Sequence, residues 1–233
     1  MIEAVLLDFD GTIVDTTELI YQSMRHAVRE VLGYEPPRET LMANVGKPLP
    51  YQMELLDPER TPELLKTYRL HNEKRHDDLI RRFPGVEASL ARLRDAGLGL
   101  AVVTSKRRFS VEMALDTFPG LRDAVDVFVT MEDTAEHKPH PAPLLKGLEW
   151  LGDVPPEKAV YVGDAPFDIA AAHAAGTLSV AVSWGAFTEE ALREAGPDLL
   201  VKNLDSAVEF VLERVTGDRK RSPDERDCHG LRR

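Results

Sequence analysis

Two aspartates separated by a single residue, Asp8-Phe9-Asp10, and followed at once by Gly11-Thr12, form the most chemically loaded spacing in the chain. Carboxylates this close repel one another unless a cation or a proton comes between them. The pair therefore suits a bound metal ion, two acids in different protonation roles, or both. The bland alternative for an isolated D-x-D-G is a solvated Asx turn. Three later segments also put polar groups where an apolar run stops. Val102-Val103 leads into Thr104-Ser105-Lys106, whose hydroxyls and backbone N–H groups can hold phosphate oxygens, although Thr-Ser in that position is more often a helix cap. Lys138 lies in His137-Lys138-Pro139-His140-Pro141, where prolines stiffen the loop that carries the cation; a lone loop lysine is otherwise just solvated. Val160-Tyr161-Val162-Gly163 ends in Asp164, with Asp168 four residues on, itself a reasonable helix N-cap. Asp8 and Asp164 together offer the hard oxygen ligands that Mg²⁺ prefers. His137 and His140 have no cysteine or acid at ligand spacing and are read as positional.

Elements able to converge these groups are legible around them. Ala4-Val5-Leu6-Leu7 reads as a buried parallel strand that opens at its carboxyl end into the aspartate loop, the edge where open α/β sheets place ligands. From Gly97 onward the pattern alternates. Strands are expected over 98–103, 125–129, 159–162 and 178–182, with an edge strand over 198–201, and helices over 110–118, 143–151, 168–175 and 204–215. The fold class is thus α/β, a doubly wound parallel sheet with helices on both faces. Between residues 16 and 83 the strand pattern gives way to helical spacing, as in Ile20, Met24, Ala27, Val28, Val31 and Leu32, and less regularly in Leu64, Leu65, Tyr68 and Leu79. The expected organisation is a core of residues 1–15 and 84–215, a helical insert of 16–83, and a disordered tail of 216–233. Pro84 and Gly85 mark the return, with a helix expected from Val86 to Ala96.

Composition narrows the function classes. The chain has 233 residues and a net charge of −11, from 29 basic and 40 acidic side chains, which argues against a general nucleic-acid binder. One cysteine, Cys228, excludes an internal disulfide and fits a reducing compartment. The first apolar run is too short for a signal peptide or a membrane span, so a cytoplasmic protein with no membrane partner is expected, as monomer or homodimer.

Asp8-Phe9-Asp10-Gly11-Thr12-Ile13-Val14-Asp15-Thr16 resembles the first motif of the haloacid dehalogenase superfamily of phosphatases, and the other three segments resemble its later motifs in the same order. The resemblance extends to about Val215. It implies a Rossmann-like core with an inserted α-helical cap, a Mg²⁺ cofactor, and hydrolysis of a small phosphorylated metabolite through an aspartyl-phosphate. Position by position it implies Asp8 as nucleophile and metal ligand, Asp10 as general acid/base that also binds metal, Thr104 and Ser105 as phosphate-binding groups, and Lys138 as charge neutraliser. Asp164 is implied as a metal ligand, with Asp168 supporting it. Trp184-Gly185 with Pro197-Asp198 resembles the phosphoglycolate phosphatase and pyrophosphatase-like branch.

Rival readings fare less well. Gly46-Lys47 is part of a P-loop signature, but Leu41 stands where that signature needs glycine and Pro48 where it needs Ser or Thr. A dinucleotide-binding G-x-G-x-x-G is missing near the first strand. Haloacid dehalogenases and phosphonatases usually lack the second acid, here Asp10. A sugar phosphomutase resembling β-phosphoglucomutase shares all four motifs but typically has a histidine where this chain has Ile20, and a non-catalytic binding protein of the fold would be expected to have lost an acid. Inorganic pyrophosphate remains an alternative substrate. Lys47, at the tip of Asn44-Val45-Gly46-Lys47-Pro48, is the insert's candidate for substrate selection, read either as a solvated loop lysine or as a cation meeting an anionic leaving group.

Overall fold

The computed structural model describes residues 1–215; the expected tail of 216–233, and Cys228 with it, lies outside the described residues. The chain enters through β1 (Ala4–Leu7), all four residues of which are buried, and reaches β2 (Val14–Asp15) by way of the aspartate loop. Four helices come next: α1 (Thr17–Leu32), α2 (Arg38–Met42), α3 (Leu49–Leu56) and α4 (Thr61–Leu79). They share an apolar centre that includes Ile20, Met24, Val28, Met53, Leu64 and Tyr68, supplied by the i, i+4 stripe of α1 and its counterpart on α4. Gly33 ends α1 in the left-handed conformation, at φ 78°, as a helix C-terminus commonly requires. The chain then returns through β3 (Arg81–Arg82), antiparallel to β2, with Asp15 opposite Arg81.

The remainder of the chain alternates as its apolar runs announce: α5 (Val86–Asp95), β4 (Gly99–Val103), α6 (Arg108–Thr117), α7 (Gly120–Ala124), β5 (Val127–Val129), α8 (Ala142–Trp150), β6 (Ala159–Gly163), α9 (Pro166–Ala175), β7 (Leu178–Val182), α10 (Glu189–Glu194), β8 (Leu199–Val201) and α11 (Leu204–Val215). Six strands form one parallel sheet in the order β5-β4-β1-β6-β7-β8, with β1 in the middle between β4 and β6. One face packs under α5 and α11 around Val5, Leu7, Leu90, Leu100 and Val208. The other packs under α8 and α9 around Leu6, Ala101, Leu144 and Tyr161. Alternate residues of each strand thus feed opposite cores, which is why these strands read as continuous apolar runs.

The differences from the sequence reading are local. The strand expected over 125–129 begins at Val127, because Asp126 turns back to β4: its carboxylate accepts the Leu100 N–H at 2.8 Å. The pair β2–β3 and the short helices α7 and α10 have no counterpart in the sequence pattern; two to six residues are too few to show a period. Asp168 is not an N-cap. Pro166 occupies the first position of α9, and Asp168 stands in its first turn, reaching back to accept the Ala165 N–H at 3.0 Å.

Candidate active site

Every strand end that carries a polar group in the sequence opens on one side of the sheet. Because β1, β4 and β6 are parallel and adjacent, the loops after Leu7, Val103 and Gly163 emerge together. Asp8, Asp10, Thr104, Ser105 and Asp164 line a single cleft, and Lys47 reaches it from the loop before α3. The sheet brings the candidate residues of three motifs to the same cleft. Lys138 and Asp168 sit beneath it, with Lys138 in contact with both Asp8 and Asp168.

The floor is a closed network of charge. Lys138 Nζ lies 2.9 Å from Asp8 Oδ1, donates to Asp168 Oδ1 at 2.7 Å, and donates to the Tyr161 hydroxyl at 2.9 Å. Burial on its own would lower the lysine's pKa, but Asp168 and Asp8 more than offset it and hold the ammonium charged. The carboxylates feel the opposite pull. Burial, reinforced by Asp168 and Asp10 and opposed by Lys138, pushes Asp8 up to about 7. Asp164 is raised well above the carboxylate range by burial and then by Asp168 and Asp8. One carboxylate oxygen from each of Asp8, Asp164 and Asp168 lies within 4.8 Å of the others. Three buried acids thus share one buried cation, and the surplus negative charge is what a divalent ion corrects; Asp8 and Asp164 fit that role.

Asp164 is cradled by glycine. A Cβ on Gly11, whose φ is +76°, would come within 2.4 Å of its carboxylate, and one on Gly185 within 2.1 Å. No side chain can be added at either position without displacing the acid. Its Oδ2 accepts the Ala186 N–H at 2.8 Å, and Trp184 Nε1 donates to the Thr12 carbonyl at 3.2 Å, tying the loop after β7 to the aspartate loop.

Asp10 is held differently. Both Thr16 Oγ1, at 2.7 Å, and Lys106 Nζ, at 2.6 Å, donate to its Oδ1, and the carboxylate lines the open cleft. Thr104 Oγ1 accepts the Lys106 N–H at 3.2 Å, and the buried Ser105 Oγ has no protein partner among the described residues. A buried hydroxyl left unpaired at a cleft wall is a donor waiting for a ligand. Lys47 Nζ donates to Asn44 Oδ1 at 3.2 Å and sits 4.4 Å above the Phe167 ring, so it bridges the helical insert to α9.

Several lining residues carry no signal in the sequence. Tyr68, Arg69 and Asn72 come from one face of α4, and Arg107 and Ser110 from the start of α6. Lys106 adjoins the recognised Thr104-Ser105 pair, and that adjacency is its only mark. The residues of α4 have none, since polar positions on a helix read as solvated until something packs over them.

The haloacid dehalogenase-like hydrolase family profile matches residues 5–182, spanning all four strand-end motifs. The chain belongs to this family. A protein of Caldanaerobacter subterraneus subsp. tengcongensis that bears the pyrophosphatase name PpaX is 43% identical over 203 residues, 87% of this chain and 91% of that protein. Pyrophosphatase PpaX of Bacillus pumilus is 36% identical over 210 residues, covering 90% of this chain and 96% of its own length. Among solved structures, a predicted phosphatase from Clostridium acetobutylicum superposes with a TM-score of 0.81 at 25% identity, covering 91% of this chain and 99% of that one. As a haloacid dehalogenase-like hydrolase with phosphatase relatives, the chain is a phosphohydrolase. Among the described residues no helix is long and apolar enough to cross a membrane.

Proposed function

We propose that this enzyme hydrolyses a small phosphorylated metabolite of the phosphoglycolate type through an aspartyl-phosphate, in the cytoplasm and with Mg²⁺. The observation that carries the reading is the contact between Asp8 and Lys138 at the end of the central strand, with Asp10 two residues on and lining the cleft. Asp8 Oδ attacks phosphorus in line, the bond to the leaving oxygen breaks, and Asp10 gives that oxygen its proton. Asp10 then takes a proton from water as the water oxygen attacks the acyl phosphate, and Asp8 and inorganic phosphate are released. Lys138, fixed by Asp168 and Tyr161, neutralises phosphoryl charge, while Thr104 and Ser105 donate to its oxygens. Asp8, the Asp10 backbone carbonyl and Asp164 would hold Mg²⁺, which when bound supplies further neutralisation of phosphoryl charge, and Asp168 supports that set from behind.

A second substrate, inorganic pyrophosphate, is favoured by the relatives named pyrophosphatase. A mutase is disfavoured by Ile20, which lines the cleft with an apolar side chain where a hinge histidine would be needed. Phosphate release measured across a panel of phosphorylated metabolites and pyrophosphate, with Mg²⁺ present, tests the reading. Release from phosphoglycolate above the other monoesters supports it, preference for pyrophosphate selects the second substrate, and no release from any member overturns both.

A further inference from the structure

Above the acid floor the cleft has a second, oppositely charged half. Arg69 from α4 and Arg107 from the start of α6 line it together, alongside the buried Tyr68 and Asn72 of α4. The two guanidinium groups are not equally provided for. Glu73 lies four residues after Arg69 on α4, the spacing at which a helix normally pairs an arginine with an acid. Its carboxylate is taken instead by Arg107 of the core, whose Nη2 donates to Glu73 Oε1 at 3.0 Å. Among the described residues Arg69 makes no ion pair or hydrogen bond, and its Nε is fully buried without an acceptor. Burial, followed by the charge of Arg107, lowers its pKa, and the weaker pull of Glu73 and Glu132 offsets this only in part. A neutral donor accompanies it. Asn72 Nδ2 donates to the Tyr68 hydroxyl at 3.3 Å, which leaves the phenolic proton of Tyr68 free to point into the cleft.

We infer that Arg69, facing Arg107, is the seat of an anionic group carried on the leaving half of the substrate, either a carboxylate or a second phosphate. This rests on the proposed hydrolysis at Asp8 and extends it to the part of the substrate that departs. The anion completes a charge arrangement that the protein leaves unfinished: a planar fork with a buried, unpaired N–H is matched by a bidentate carboxylate or phosphate. Lys47 is the less available cation, because Asn44 and the Tyr51 and Phe167 rings already engage it. The link from Arg107 to Glu73 crosses from core to insert, so an anion bound between the arginines is gripped from both sides.

The test compares kcat and KM on pyrophosphate, 2-phosphoglycolate and p-nitrophenyl phosphate, whose leaving group carries no separate anion. It uses the full chain with Mg²⁺ and the variants Arg69→Met, Arg69→Lys and, as a control on the exposed face of α4, Lys66→Met. The inference expects Arg69→Met to lower kcat/KM on at least one of the first two substrates about 10- to 100-fold more than on p-nitrophenyl phosphate, chiefly through KM. It expects Arg69→Lys to recover part of the loss. The substrate that suffers most names the anion as phosphate or carboxylate. Equal losses on all three substrates, no loss on any, or the same selective loss from Lys66→Met would each overturn the inference. A wild-type enzyme that cleaves p-nitrophenyl phosphate but neither anionic-leaving-group substrate would overturn it while leaving the phosphatase intact, whereas one that cleaves none of the three would overturn the proposed function itself.

Discussion

At the floor of the cleft Lys138 touches both Asp8 and Asp168 within 3 Å, all three with almost no exposure. On the helical wall the charged groups are partly exposed and loosely answered: Lys47 leans on aromatic rings, Arg107 borrows an acid from α4, and Arg69 has no acid partner among the described residues. Both regions belong to one cleft, yet they are built on different supports. The floor hangs from the central strands of a six-stranded sheet, whose register fixes neighbouring loops, the kind of support that the proposed bond making requires. The wall is carried largely by helices packed on their own small core, which can bear different side chains without disturbing the sheet, and it suits discrimination between substrates. On the proposed function, reaction and selectivity would thus rest on separate apolar clusters.

The contrast is broken most severely at Asp8. Asp8→Asn keeps the shape of the side chain and removes the proposed nucleophile, and turnover should fall by about 10⁴-fold or more in a steady-state assay on any accepted substrate. Activity near wild type would sink the covalent mechanism. Asp10→Asn should be next, with a loss of about 10²- to 10⁴-fold in kcat while inorganic phosphate still binds, as read by isothermal titration.

Metal removal separates floor from wall by another route. Chelation with EDTA should depress turnover by about 10²-fold or more, and Mg²⁺ should restore it. The floor also predicts a pH signature. Asp8, with an ordinary carboxyl value of 3.8, is pushed up to about 7, so between those values the folded chain without metal retains a proton that the unfolded chain has lost. The stability tied to that proton is complete below about pH 4 and fades as pH rises toward about 7. Mg²⁺ competes with the same proton, so the rise in Tm that it causes should be larger at pH 7.5 than at pH 5.5, measured by differential scanning fluorimetry. A rise independent of pH would detach the metal from these acids.

The smallest effect belongs to the wall. Lys47→Ala should raise KM about three- to tenfold for a substrate with an anionic leaving group and leave kcat within about twofold, since the lost contact is a partly solvated charge. A matching loss in kcat would move Lys47 to the reacting centre.

Particular residues show why the floor is legible in the sequence and the wall is not. The apolar run Ala4–Leu7 ends at Asp8, and Val160–Gly163 ends at Asp164; a buried parallel strand must be continuous in apolar residues, so its end is a sharp, readable event. Arg69 and Asn72 obey no such constraint. A polar residue on a helix looks the same whether it faces water or a cleft, and only the packing of α4 over the core decides between them. Asp168 stands inside α9 rather than ahead of it because Pro166, suited to the first turn, starts that helix earlier than the carboxylate suggests. The pairing of Arg81 and Arg82 with Val14 and Asp15 is illegible because two-residue strands carry no alternation.

Asp15 and Arg81 face each other across that two-rung pairing, so the polypeptide leaves the sheet domain and re-enters it at nearly the same point. Topologically the intervening stretch is a side loop hung from one stitch, and its removal or exchange would not require any strand of the large sheet to be rethreaded. A gene encoding such a chain can trade one helical insert for another by recombination at two codons whose residues are neighbours in space, while the acid-bearing strand ends are inherited unaltered.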